Sequence, residues 1–268
     1  MKKEVLERVA NSSQSDRRQF MKRVGVTSVG VAAATMVGGS LDNLAAATTI
    51  TDTDILNFAL NLEYLEAEFY SMATFGATLV QLGIIPSSAT TGLTTGGKAV
   101  NFNGSPVAFL ASALRVDEQT HVVYLRTALG SAAVKKPTIN LDALGYGFDS
   151  VDDFLKLGRQ FEDVGVSAYL GAAPLIKSST YLSAAGAILA TEAQHSGSVR
   201  LECILNGVSS PAVDSLDIPP TQSAPYDVDK NALSIPRTTA QVLNIVYGGG
   251  KCSGGFYPDG MNGTIKCQ

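Results

Sequence analysis

Glu118-Gln-Thr-His121 holds one of the two histidines of this chain, and Glu192-Ala-Gln-His195 holds the other. In each stretch a glutamate stands three residues before the histidine. On a helix that spacing sends both side chains out of one face, where they can meet a single ion. The 268 residues contain nine glutamates, so the pairing of both histidines has a chance of roughly one in a thousand before motif false positives are counted.

Two further helical segments supply partners. Glu63 is followed seven residues later by Tyr70, and Glu162 seven residues later by Tyr169. Seven residues are two helical turns, so each tyrosine lies along the face of its glutamate. The chain reads as two copies of one unit, a Glu-x6-Tyr helix followed by a Glu-x-x-His helix. A bundle with a pseudo-twofold axis would gather four Glu and two His at its centre. Four unpaired buried carboxylates are prohibitively costly. Two divalent cations bring the charge to zero, and neutral imidazoles add ligands without charge. Oxygen-rich, thiolate-free ligation suits iron or manganese, admits zinc, and argues against copper; of the two, iron is expected first and manganese next.

Apolar residues recur at spacings of three and four in four segments. The first is read from Thr53 to Leu82, ended by Gly83 and Pro86. The second starts at Ser105-Pro106 and runs to Leu129. The third opens at Ser150 and continues to Lys177, with Pro174 kinking or ending it, and the fourth spans Tyr181 to Leu205. Residues 83–104 form a Gly/Ser/Thr-rich loop, 130–149 a crossover and 178–180 a tight turn. The expected fold is all-α, an antiparallel four-helix bundle over residues 48–207 with one long crossover. Five prolines between residues 211 and 236 and a glycine-rich end make 208–268 an irregular tail wrapping the bundle, with a short helix at Thr238–Tyr247. Cys252 and Cys267 are expected to pair in an oxidising compartment, closing a loop that contributes roughly 3 kcal/mol. Cys203, inside the fourth helix, reads as a buried apolar residue.

These motifs resemble the ferritin-like superfamily, whose metal centre takes one Glu from each of two helices and Glu-x-x-His from the other two. Asn61-Leu-Glu-Tyr-Leu-Glu-Ala-Glu-Phe-Tyr70 is similar to the first helix of ferritins. Phe58 to Tyr70 and Gly165-Val-Ser-Ala-Tyr-Leu-Gly-Ala-Ala-Pro174 look more closely like the exported ferritin-like, desiccation-related proteins. The resemblance covers residues 53–207. It implies Glu63, Glu118, His121, Glu162, Glu192 and His195 as ligands, with Glu118 and Glu192 bridging. Asp117 is then a candidate acceptor for the free ring N–H of His195, with Thr191 at the matching place in the other half. Tyr70 is left two roles, donating a hydrogen bond to a ligand carboxylate or donating an electron, and Tyr169 matches it. Glu66, one turn after Glu63, can replace or supplement it, whereas Glu68 is expected to face solvent.

The first 47 residues read as an address. Arg17-Arg18 with Phe20 and Lys22, a weakly apolar stretch Val24–Val37 and the ending Ala45-Ala46-Ala47 resemble a bacterial twin-arginine export signal. The expected location is therefore periplasmic or extracellular, with no stable membrane span after cleavage. The whole chain has a net charge of −4. Beyond residue 47 there are 13 basic and 20 acidic residues, a net of −7, which argues against a nucleic-acid partner. The expected partners are metal ions with O2 or peroxide. The expected function is ferroxidase- or catalase-like redox chemistry, the alternative being a non-enzymatic metal-binding or stress-protective protein. Long loops and a 60-residue tail would crowd a cage subunit, so a monomer or homodimer is expected.

Overall fold

Thr51 starts the first helix, α1 (Asp52–Phe75), with a reciprocal cap: its hydroxyl accepts from the Asp54 N–H, and the Asp54 carboxylate accepts from the Thr51 N–H at 2.9 Å. Asp52 and Asp54 place negative charge at the positive end of the helix dipole. The computed structural model describes residues 49–268; the export signal read at residues 1–47 lies outside the described residues.

The first helix is shorter than its apolar pattern suggests. It ends at Gly76, whose φ of +64° is left-handed and whose N–H bonds the Met72 carbonyl. Leu79, Val80 and Leu82 continue the periodicity but form a turn in which Leu82 N bonds Thr78 O, and Leu79 is buried. Periodicity records burial, and a turn folded back on the helix buries the same residues. The second helix, α2, is Val107–Leu129. The third, α3 (Val151–Ala172), is capped by the Ser150 hydroxyl and stops before a 3-10 turn at Ala173–Leu175 rather than reaching Lys177, because Pro174 cannot continue an α-helix. The fourth, α4 (Ser179–Leu205), is capped by Ser178 and begins two residues earlier than expected.

The helices form two pairs, α1 against α2 and α3 against α4. The pairs meet where α1 touches α3 and α2 touches α4. Asp52 accepts from the backbone N–H groups of Lys177 and Ser178, tying the start of α1 to the α3–α4 turn. The two long connections pair with each other through a two-residue parallel ladder, β1 (Thr94–Thr95) with β2 (Ile139–Asn140). No described helix is long and apolar enough to cross a membrane.

The tail is anchored by buried charge. Arg159 on α3 donates to Asp217 at 2.6 Å and to Ser210 at 2.9 Å, while Arg200 on α4 donates to the carbonyls of Ile218 and Pro225. Arg237 pairs with Asp214 at 2.7 Å and donates to Ser167 on α3. A short helix, α5 (Thr239–Val246), follows a Thr238–Gln241 capping box. Cys252 and Cys267 form a disulfide, and Cys203 is buried. Beyond α5 the chain crosses α1: Tyr257 donates to the Asn61 carbonyl, and Asn61 exchanges hydrogen bonds with the Asn262 backbone. This cover explains why α1 is buried continuously from Ile55 to Ser71.

One expectation is overturned here. Glu68 is not at the surface but fully buried. The turn after α1 folds over it, so that Leu79 N–H donates to its carboxylate, and the Lys136 ammonium lies 3.7 Å away. Lys136 is itself buried and held by Gly92 O, Thr94 and Pro137 O. A buried carboxylate persists only with such partners, and they come from loops 11 to 68 residues further along the chain.

Candidate metal centre

The middle of the bundle brings Glu63 from α1, Glu118 and His121 from α2, Glu162 from α3, and Glu192 and His195 from α4 into one buried cluster. Around His121, Nδ1 lies 3.1 Å from Glu118, 3.2 Å from Glu63 and 3.2 Å from Glu192. Around His195, Nδ1 lies 2.8 Å from Glu118 and 3.5 Å from Glu162. The ring centroids are 6.0 Å apart. Glu63, Glu118, His121 and Glu192 each offer an atom within 4.8 Å of the others, and so do Glu118, Glu162, Glu192 and His195. Either group could hold a metal ion, and both contain Glu118 and Glu192.

The donor atoms fit a cation better than they fit one another. One oxygen each of Glu118 and Glu162, both oxygens of Glu192 and Nδ1 of His195 are buried without a hydrogen-bond partner. Buried oxygens of this kind are costly to leave unmatched. Burial and the charge of Glu63 push Glu118 up to about 7, and burial with the charge of Glu118 drives Glu192 well above the carboxylate range. At His195 burial pulls the other way, but Glu118 and Glu162 raise the ring to about 12. Carboxylates that resist ionising beside imidazoles driven cationic express one need, for positive charge at this spot.

The surrounding groups orient the set. Tyr70 donates to Glu162 at 2.5 Å and Tyr169 to Glu63 at 2.5 Å, so each tyrosine serves the glutamate of the other helix. His195 Nε2 lies 3.1 Å from Asp117, which leaves Nδ1 directed at the cluster. Thr191 does not do the same for His121; its hydroxyl bonds the Ala187 carbonyl of its own helix. The pseudo-twofold relation holds for the tyrosines and fails here.

A family model described as a ferritin-like domain matches residues 51–203, more than half of the chain. The chain belongs to the ferritin-like domain family. No curated protein matches it in sequence. Within this ferritin-like frame, Glu66 is a fifth buried carboxylate, 4% exposed, and burial with the charge of Glu192 holds its pKa well above the ordinary range.

Two glycines were not singled out for the site by the sequence reading. A Cβ at Gly165 would lie 2.8 Å from a Glu192 oxygen and 3.0 Å from a Glu66 oxygen, and one at Gly158 would lie 3.3 Å from the Tyr70 hydroxyl. Both lie inside α3, seven residues apart and on the Glu162 face. Glycine in a helix interior costs about 1 kcal/mol relative to alanine, and that unexplained cost was the available signal. Leu62, Leu65, Phe161, Val164 and Val246 wall a narrow recess that also reaches Glu66 and Gly165. In a second carboxylate group, Asp163, Asp217 and Asp227, Arg159 pairs with Asp217 and Arg200 with Asp163, each at 2.6 Å, while Asp227 keeps one buried oxygen without a hydrogen-bond partner.

Proposed function

We propose that the chain is an exported ferritin-like protein that binds two divalent ions, iron first and manganese second, for O2- or peroxide-dependent redox chemistry. The observation that carries this reading is the sharing of Glu118 and Glu192 between two four-residue groups. Glu63 and His121 would hold one ion, Glu162 and His195 the other, with Glu118 and Glu192 reaching both. A bound pair of iron or manganese ions supplies electrons two at a time to dioxygen or peroxide.

The protein's own residues do the positioning. Tyr70 and Tyr169 hold the carboxylates of Glu162 and Glu63 by their hydroxyl protons. Asp117 would keep a proton on His195 Nε2, so that Nδ1 is the ring nitrogen whose proton a cation replaces. Four carboxylates balance two divalent ions, and the adjoining Glu66, whose pKa burial raises, resists adding a fifth negative charge. The apolar recess beside Glu66 suits a small neutral molecule better than an anion. Export rests on the Arg17-Arg18 segment and the small-residue ending at Ala47, and the likeness to desiccation-related proteins agrees with it.

The test is metal content and peroxide or O2 consumption of the chain from residue 48, beside Glu118→Ala and His195→Ala. Two equivalents of iron or manganese, lost in both variants together with turnover, are expected. Two equivalents without turnover would leave a metal-binding protein, and a folded chain that takes up no metal would end the proposal.

A further inference from the structure

Helices α2 and α4 stand side by side, and the most exposed positions of their outer faces carry no charge. Every exposed position on α2 is uncharged, including Phe109 at 83%, Val116 at 48% and Tyr124 at 48% exposure. The same is true of α4, where Leu201 and Leu205 are 53% and 69% exposed and alanine, glycine and serine fill most of the remainder. Exposed helix faces of soluble bundles are ordinarily rich in Lys, Glu, Arg and Asp. Four partly exposed charged residues border this one, and each has a partner within the chain: Asp117 with His195, Glu202 with Asn206, Arg115 with Gln119, and Arg126 with Tyr64. The opposite helices, α1 and α3, are covered by the chain's own loops and tail.

We propose that the α2–α4 face is the seat of a second copy of this chain, forming a two-fold dimer. Three observations choose that occupant. The body carries a net charge of −7, so two copies repel unless they meet through a surface with few charges, which this face provides. An anionic membrane is disfavoured by the same charge, and the two arginines at the edge of the face are engaged within the chain, Arg115 over the Phe75 ring and Arg126 with Tyr64. The size is also right. A helix of 23 residues is about 35 Å long, and two such helices about 10 Å apart present about 700 Å² of face. That is close to the roughly 800 Å² each partner contributes to a stable interface. A two-fold axis needs only one self-complementary patch.

The proposal deepens the functional reading, because the face carries Asp117, whose side chain is 49% exposed while it accepts from His195. A second copy would take that carboxylate out of water.

Light scattering on sized fractions, over about 1 to 200 µM, tests the surface. Both the full chain and the chain from residue 48 are measured, beside the double variant Val116→Glu/Leu201→Glu. Twice the chain mass is expected for both forms, and one chain mass for the variant, with circular dichroism and metal content unchanged. A monomer at every concentration would overturn the proposal, as would a dimer that persists in the variant. Sedimentation of the chain with neutral or anionic vesicles, abolished in the variant, would assign the face to a lipid surface instead. A full chain that stays monomeric while the shortened chain dimerises would assign it to residues 1–47. Metal content is read in the same samples, so failure of the interface and failure of the metal reading are separable.

Discussion

Tyr169 on α3 donates its hydroxyl to Glu63 on α1 at 2.5 Å, across the bundle rather than along its own helix. Tyr70 makes the reciprocal bond to Glu162. Each glutamate is thereby aimed by the opposite pair of helices, so the cluster reports the packing of the whole bundle.

Tyr169→Phe keeps the ring and removes the donor. Groups that orient metal ligands are worth about 10- to 100-fold in affinity, so chelator competition is expected to show weakening of that order with the helical circular dichroism retained. Unchanged affinity would mean that Glu63 is oriented by its other contacts.

The shared glutamates and the unshared ones separate by stoichiometry. Glu118→Ala removes a donor from both groups and is expected to lose both ions, whereas Glu63→Ala removes a donor from one and is expected to retain about one equivalent. Metal analysis after desalting reads the difference. Equal losses in the two variants would argue against two groups joined at Glu118.

Gly165→Ala separates site from fold. Alanine improves helix propensity by about 1 kcal/mol, but its Cβ would sit 2.8 Å from Glu192 and must displace that carboxylate. Reduced metal uptake is expected while thermal unfolding of the metal-free protein moves little. A fully loaded variant would show that Glu192 has room to shift.

The tail is expected to loosen in acid. Asp214 is held below the usual carboxylate range, first by its hydrogen bond from Arg237. A depressed folded-state pKa contributes stability that is fully present above the unfolded value of about 4 and is lost as pH falls through the folded value. In Arg237→Gln that contribution is absent. The gap in denaturation midpoint between variant and parent is therefore expected to be largest at neutral pH and to narrow below about pH 4. A gap independent of pH would assign the role of Arg237 to its bond with Ser167.

The four helices and the six-residue cluster were legible because helical spacing translates directly into a shared face. Glu118 with His121, and Glu192 with His195, need only one turn of backbone to converge. The end of α1 was not legible, since Leu79 is buried by a turn as effectively as by a helix. Glu68 was misread for a related reason. Its partners, Lys136 and Leu79 N–H, lie in loops whose return over α1 no local pattern announces.

Residue type and spacing within single helices therefore determined the bundle and the Glu/His cluster at its centre, because both follow from local geometry and charge. Tertiary structure decided which tyrosine serves which glutamate, why Gly165 must lack a side chain, how Arg159, Arg200 and Arg237 fasten the tail, and which face remains uncovered. Those outcomes depend on how separate helices and loops approach one another, and burial makes each approach costly unless charge and volume match across it.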